Sequence, residues 1–202
     1  MKALNFALFQ WMAAGHEPTP WLLFLASAVA LVGPWVCMGL MGWVAWRRPA
    51  ERGHVMASLA FAAAAGLLAH AIAAALDVPR PFMLGLSPAY IAHGARGSLP
   101  SSHASVMFTV ALVFLLRPRL RDLGIAIAAI AAVTGWARIY VGVHFPADIA
   151  AGLLLAVGLA GVFVGVRQFC RHYLVPMIAR DDLRAQVQAA EADPPIHRRE
   201  VL

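Results

Sequence analysis

From Trp21 to Trp46 the chain runs for 26 residues without an Asp, Glu, Lys or Arg, and Val55 to Leu76 adds 22 more with only His70 interrupting. As helices, such stretches cover the roughly 30 Å of a bilayer's hydrocarbon core. Three further apolar runs follow, His103 to Leu116, Leu123 to Tyr140, and one from Pro146 to Val166, where Pro146 suits the first helical position. With 61% hydrophobic and 13% charged residues, the 202-residue chain is far more apolar than a soluble domain. The expected fold is therefore an all-α integral membrane protein, a helical bundle of about five transmembrane helices. Residues 1–170 form the membrane-embedded domain and 171–202 a polar cytoplasmic tail. Residues 1–15 read as an interfacial helix carrying Phe6, Phe9 and Trp11, because Asn5 and Gln10 break the apolar core a signal peptide needs. In the tail, 181–192 reads as a short amphipathic helix and 193–202 as disordered.

Where the charges fall decides what the formal charge of +6 means. Twelve of the 16 basic residues lie in the 47–53 loop, the 117–122 loop and the stretch from Arg167 onward. That distribution orients a membrane protein and is not a nucleic-acid surface, and it assigns those segments to the cytoplasm. The amino terminus, the 77–102 loop and the 141–146 turn then face outward. Arginine outnumbers lysine fifteen to one, as in GC-rich bacterial genomes. Cys37 and Cys170 lack metal-ligand spacing and imply neither a disulfide nor a zinc site.

Three polar clusters break the apolar pattern on the outward side: Arg80-Pro81, Pro100-Ser101-Ser102-His103, and Arg138 with His144 and Asp148. Arginines clamp phosphoryl oxygens. One histidine of such a set attacks phosphorus or protonates a leaving group, and the other takes the remaining role. Pro-Ser-Ser-His reads as a helix start with a serine as N-cap, an anion-binding arrangement, although a plain cap has the same look. Asp148, in the first turn after Pro146, is placed to accept a hydrogen bond from one ring nitrogen of His144 and leave the other free. Each residue alone has a structural reading as a cap or a snorkelling arginine; five at one membrane face do not. The apolar parts of the third and fourth runs, 104–116 and 123–137, fall short of the roughly 20 residues that span a bilayer. Both helices are expected to sink their polar ends below the surface, near the ester of a lipid headgroup.

These clusters resemble the tripartite signature of the type 2 phosphatidic acid phosphatase superfamily, K-x6-R-P, P-S-G-H and S-R-x5-H-x3-D. The wording PRPF, LPSSHAS and RIYVGVHFPADIAAG is similar to small bacterial undecaprenyl-diphosphate phosphatases. The resemblance, over roughly residues 55–165, implies that His144 is a nucleophile forming a phosphohistidine, oriented by Asp148, and that His103 protonates the leaving group. It further implies phosphoryl binding by Arg80, Arg138, Ser101 and the backbone N–H groups of Ser102 and His103. No metal or other cofactor is called for, since cations supply the charge stabilisation. The implied substrate is undecaprenyl diphosphate, a polyprenyl lipid, cleaved at the periplasmic face of a bacterial inner membrane.

Three positions depart from the signature: Ala73 stands where the lysine belongs, Ser102 replaces the glycine, and Ala137 replaces the serine before Arg138. Arg96, His93 and His70 are the candidates to compensate for the lysine; His70 also reads as a hydrogen-bonded histidine between helices. Other lipid phosphates (phosphatidylglycerophosphate, phosphatidate, a lipid A phosphate) and transfer to an acceptor lipid fit the same residues. So does a non-catalytic relative, given Ala73. A transporter of anions or protons is the rival from another class, and it needs polar groups at mid-span. No motif encodes an oligomeric state.

Overall fold

Small side chains turn inward and large apolar ones outward along the first long helices. In helix α2 (Pro20–Arg47) the buried positions are Ala26, Ala30, Gly33, Cys37, Met41 and Val44, recurring every three or four residues. Phe24, Leu31, Trp35, Met38 and Trp46 of the same helix are exposed. Helix α3 (Arg52–Leu76) repeats the arrangement, burying Val55, Ser58, Ala62, Ala65 and Ala69 while Leu59, Leu67, Ile72 and Leu76 face out. A water-soluble protein would invert this pattern. In lipid, close backbone approach holds helices together, and small residues permit it.

The computed structural model describes residues 2–174 continuously, with 176, 177, 182, 184 and 188 beyond them. Helix α1 (Lys2–Met12) precedes α2, and α4 (Ser102–Leu115), α5 (Arg121–Tyr140) and α6 (Pro146–Phe169) complete the all-α architecture. Contacts divide the chain into two units, 1–161 and 162–202. The second contains the last residues of α6 and a π-helical turn over Cys170–Leu174, where the rings of Phe169 and Tyr173 lie 5.1 Å apart. The amphipathic segment expected over 181–192 falls almost entirely outside the described residues, and 193–202 wholly so.

Among the described residues, four helical segments are long and apolar enough to cross a membrane: Pro20–Arg47, Pro49–Leu84, Pro118–Tyr140 and Pro146–Leu174. The expectation that both the third and the fourth runs are short is corrected here. Helix α5 has 20 residues, about 30 Å. It continues past Ala137 because Arg138, at 3% exposure, keeps its charge inside the protein. Only α4 is short, at 14 residues. It packs against α3 and α5, and it buries Met107, Val110, Val113 and Phe114. A helix enclosed by others need not match the bilayer. Its hydroxyls are satisfied within the helix, Ser105 donating to the Ser101 carbonyl and Thr109 to that of Ser105.

At the opposite end of α4 from the polar clusters, the arginine-rich loops are tied together. The fully buried Glu51 carboxylate accepts hydrogen bonds from Arg117 Nε at 2.8 Å and Nη2 at 3.2 Å. Arg48 donates to the carbonyl of Arg119 at 2.6 Å. The sequence shows these arginines as orientation signals; the fold also uses them as fasteners.

Helix α6 meets α4 at Gly152. A Cβ there would lie 2.8 Å from Ala104 Cβ and 3.0 Å from the Ser101 carbonyl oxygen, whereas one at Gly158 meets nothing within 4 Å. Gly152→Ala is therefore expected to destabilise the protein by about 1–3 kcal/mol. Gly158→Ala should be neutral or stabilising by up to about 1 kcal/mol. Thermal unfolding in detergent distinguishes them, and equal shifts would show that the α4–α6 contact has slack.

Candidate active site

Helix α3 stops at Asp77, whose left-handed backbone (φ 43°) ends the helical run and turns the chain toward Arg80. An extended Arg80 followed by Pro81 then delivers the guanidinium inward. Arg80 donates through Nε to the Arg96 carbonyl at 2.9 Å, through Nη2 to Gly97 at 3.0 Å and through Nη1 to Val143 at 2.9 Å. Nη1 also lies 3.3 Å from His144 Nε2. The loop that supplies two of these carbonyls is pressed on α3: a Cβ at Gly97 would sit 2.0 Å from the Ala73 carbonyl oxygen.

The turn between α5 and α6 carries the next groups. Gly142 adopts φ +80°, and a Cβ there would come within 2.3 Å of the Pro88 carbonyl oxygen, so the turn requires glycine. Asp148 stands four positions after His144, and Nδ1 of the ring meets Oδ2 at 3.1 Å. The same oxygen accepts from the Phe145 backbone N–H at 2.8 Å and from the Ser98 hydroxyl. With Nδ1–H directed at the carboxylate, Nε2 carries the lone pair. Helix α1 braces this turn: Phe6 and Phe9 pack edge-on against Phe145, and Asn5 Oδ1 accepts from the Ala147 N–H at 3.0 Å.

Ser101 is the N-cap of α4, its hydroxyl oxygen accepting from the Ala104 N–H at 3.5 Å, and its own N–H donates to the Asp148 carbonyl at 3.0 Å. That second bond joins the Pro-Ser-Ser-His and the Arg-His-Asp clusters. Of the two serines Ser101 is fully buried in this capping role, while Ser102 lines a cavity of about 870 Å³. Arg138 reaches the site from the last turn of α5, donating to the Ala30 carbonyl of α2 at 3.4 Å and to His93 Nε2 at 3.4 Å. The His93 ring stands edge-on to that of His144, 5.8 Å between centroids. His103 lies close enough to Arg138, His144, His70 and Arg80 for their charges to act on it.

Two buried polar atoms here lack a hydrogen-bond partner, Arg138 Nε and His103 Nδ1. Unpaired buried donors are costly, so an unpaired guanidinium N–H and an unpaired imidazole nitrogen near enough for their charges to interact suit an anion. Burial pushes the His144 imidazole down to about 4, against the opposing pull of its hydrogen bond to Asp148. Burial and then the charges of Arg80 and Arg138 push His93 down to about 3. Both rings are thus neutral at pH 7, and Nε2 of His144 is available as a nucleophile.

The structure gathers Arg80, His93, His103, Arg138, His144 and Asp148 into one site, with Ser102 at the cavity wall. Arg96 contributes its carbonyl to Arg80, and its exposed side chain lines the same cavity. His70 is exposed and bonds the Gly66 carbonyl of its own helix at 2.8 Å, so it does not bridge two helices. Ser98 and Asn5 were not legible as site residues. Their partners lie 50 and 142 residues away, and no spacing rule links them.

The sequence profile of the PAP2 superfamily matches residues 53–171, more than half of the chain. Escherichia coli (strain K12) YbjG, whose name assigns it undecaprenyl-diphosphatase activity provisionally, is 33% identical over 157 residues, 76% of this chain and 78% of YbjG. The crystal structure of Aquifex aeolicus LpxE superimposes with a TM-score of 0.67 at 24% identity, covering 80% of this chain and 95% of LpxE. The transmembrane PAP2-type phosphatidylglycerolphosphate phosphatase of Bacillus subtilis gives 0.62 at 20% identity, covering 85% and 88%.

The depressed His144 value carries a sign. A histidine whose folded value is about 4 and whose ordinary value is 6.5 binds its proton more readily when unfolded. Stability is then fully present above pH 6.5 and falls as the pH drops from there toward 4. An NMR titration of labelled histidine should show His144 neutral down to about pH 4. A midpoint near 6.5 would contradict the burial argument.

Proposed function

We propose that this chain, which belongs to the PAP2 superfamily, is an undecaprenyl-diphosphate phosphatase. At the coarser level it is a multi-pass membrane lipid phosphatase, as the family and the apolar helices establish. The observation that carries the chemistry is the line Arg80–His144–Asp148, flanked by the open donors of Arg138 and His103. The identity with YbjG over most of both chains supports the substrate.

The steps follow from the atoms. Asp148 holds Nδ1–H, so the Nε2 lone pair of His144 attacks the terminal phosphorus, and the bond from that phosphorus to the bridging oxygen breaks. His103, once the charge of the bound phosphate has drawn a proton onto its ring, gives that proton to the departing oxygen. Water then attacks the phosphohistidine with neutral His103 taking a proton, which releases inorganic phosphate and restores both rings. Arg80, Arg138, Ser102 and the backbone N–H groups at the start of α4 face the phosphoryl oxygens, where charge grows in the transition state. Ser101 acts by fixing that helix start. In the free site Arg80 hydrogen-bonds Nε2, so a bound phosphoryl oxygen must draw the guanidinium hydrogen to itself before attack.

The arginine distribution supports an orientation with the 47–53 and 117–122 loops in the cytoplasm. The site then faces the periplasm from a bacterial inner membrane, with residues 171–202 as a cytoplasmic tail.

Purified protein should release phosphate from undecaprenyl diphosphate in EDTA at its full rate, and prefer that lipid to phosphatidate and phosphatidylglycerophosphate in competition. His144→Ala should abolish turnover and also the acid-labile, alkali-stable phosphoenzyme formed from terminally labelled substrate. His103→Ala should lose about a hundredfold to ten-thousandfold. Full activity in His144→Ala would refute the nucleophile, and preference for a monophosphate lipid would refute the substrate.

A further inference from the structure

The cavity extends well beyond the groups that handle one phosphoryl unit. Its lining joins Arg80, His93 and Ser102 to the last part of α3, where Ala69, Ala73 and Ala74 present only methyl groups. The family's lysine belongs at position 73, so the volume that its side chain would occupy is open space here. Two basic side chains border that space, Arg96 and His70. Among the described residues no carboxylate pairs with the Arg96 guanidinium. His70 spends Nδ1 on the Gly66 carbonyl, which leaves Nε2 as its outer nitrogen. Asp77 is the one carboxylate in the lining, set against Arg80, Arg96 and His70.

We infer that the part of the cavity along α3 is a second phosphoryl subsite, in which Arg96 and His70 hold the phosphate that is not transferred. The inference rests on the phosphatase reading above and sharpens its substrate to lipids with a diphosphate head. Direction is the reason. His144 and Arg80 mark the side from which the terminal phosphorus is attacked. Arg96 and His70 border the same cavity along its alanine wall, where a second phosphate bonded to the first extends. In a diphosphate the leaving group is itself a phosphate. Cations on that side stabilise the charge it gains as the bridging bond breaks, whereas an alkyl monophosphate offers them nothing to hold. With Nδ1–H spent on the Gly66 carbonyl, Nε2 of His70 accepts from a phosphate hydroxyl while Arg96 supplies the charge. The lost lysine is thereby explained as an exchange: one cation at the transferred phosphate gives way to room and charge for its neighbour.

The test separates this subsite from the identity of the lipid. Full-length protein in detergent is titrated calorimetrically with methylenediphosphonate and with methylphosphonate, neither of which is hydrolysed. The wild type should bind the first at least about tenfold more tightly, as expected for one or more charge-assisted hydrogen bonds. Arg96→Ala and His70→Ala should each shrink that ratio, the double variant should bring it within about threefold of unity, and Arg96→Lys should retain part of it. The Arg96 carbonyl that holds Arg80 is backbone and survives these changes. Arg121→Ala, at the far end of the bundle, should leave the ratio unchanged. A wild-type ratio near one, or a ratio that the double variant preserves, overturns the subsite. Tight diphosphonate binding by a protein that hydrolyses only monophosphate lipids instead overturns the substrate reading and leaves the subsite standing.

Discussion

The carboxylate of Asp148 is the point on which the site's geometry depends. One oxygen takes the His144 ring, the Phe145 backbone and the Ser98 hydroxyl, while the residue's own carbonyl takes the Ser101 N–H. A single residue in the first turn of α6 thus sets the tautomer of the proposed nucleophile. It also fixes the height of the α4 N-terminus beside it. In a low-dielectric interior such hydrogen bonds are strong, and losing one strands its partners without water. The tight seat of Gly152 against Ala104 and Ser101 serves the same end, since it presses α6 onto the helix whose free N–H groups face the phosphoryl position.

Phosphate chemistry near a bilayer has to reconcile charge with oil. The chain does so by keeping its site cations within the protein. Arg80 spreads its donors over three carbonyls, and Arg138 uses the Ala30 carbonyl of α2 and the His93 ring. The scaffold around them is built from alanine and glycine contacts, with bulky residues turned outward. Where the alanines of α3 face the 94–97 loop, a cavity of about 870 Å³ opens. There the absence of side chains makes room for a ligand.

How much of this was legible in the sequence follows from the range of each interaction. The pairing of His144 with Asp148, a serine cap at the start of α4 and the start of α6 at Pro146 are set within four residues, and spacing alone is enough to read them; which serine caps was not legible that way. The α2 and α3 spans were equally plain, because apolar length is additive along a chain. The membrane-crossing length of α5 was not, since Arg138 reads as the end of its apolar part until its burial is known. Nor were Ser98 with Asp148, Asn5 with Ala147, or Glu51 with Arg117, which join residues 50, 142 and 66 positions apart. Those contacts arise from how helices pack, and packing among small residues leaves little periodic trace.

The hydrogen bond from Arg80 to Nε2 of His144 has an effect on the idle protein. A buried imidazole with its lone pair exposed would react with any small electrophile that reached it. Here the lone pair is engaged by a group whose preferred partner is an oxyanion. Only a ligand able to attract the guanidinium releases the nitrogen, so the cue for reactivity is carried by the phosphate itself. Selectivity against other electrophiles thus operates before any bond is made, without a moving lid.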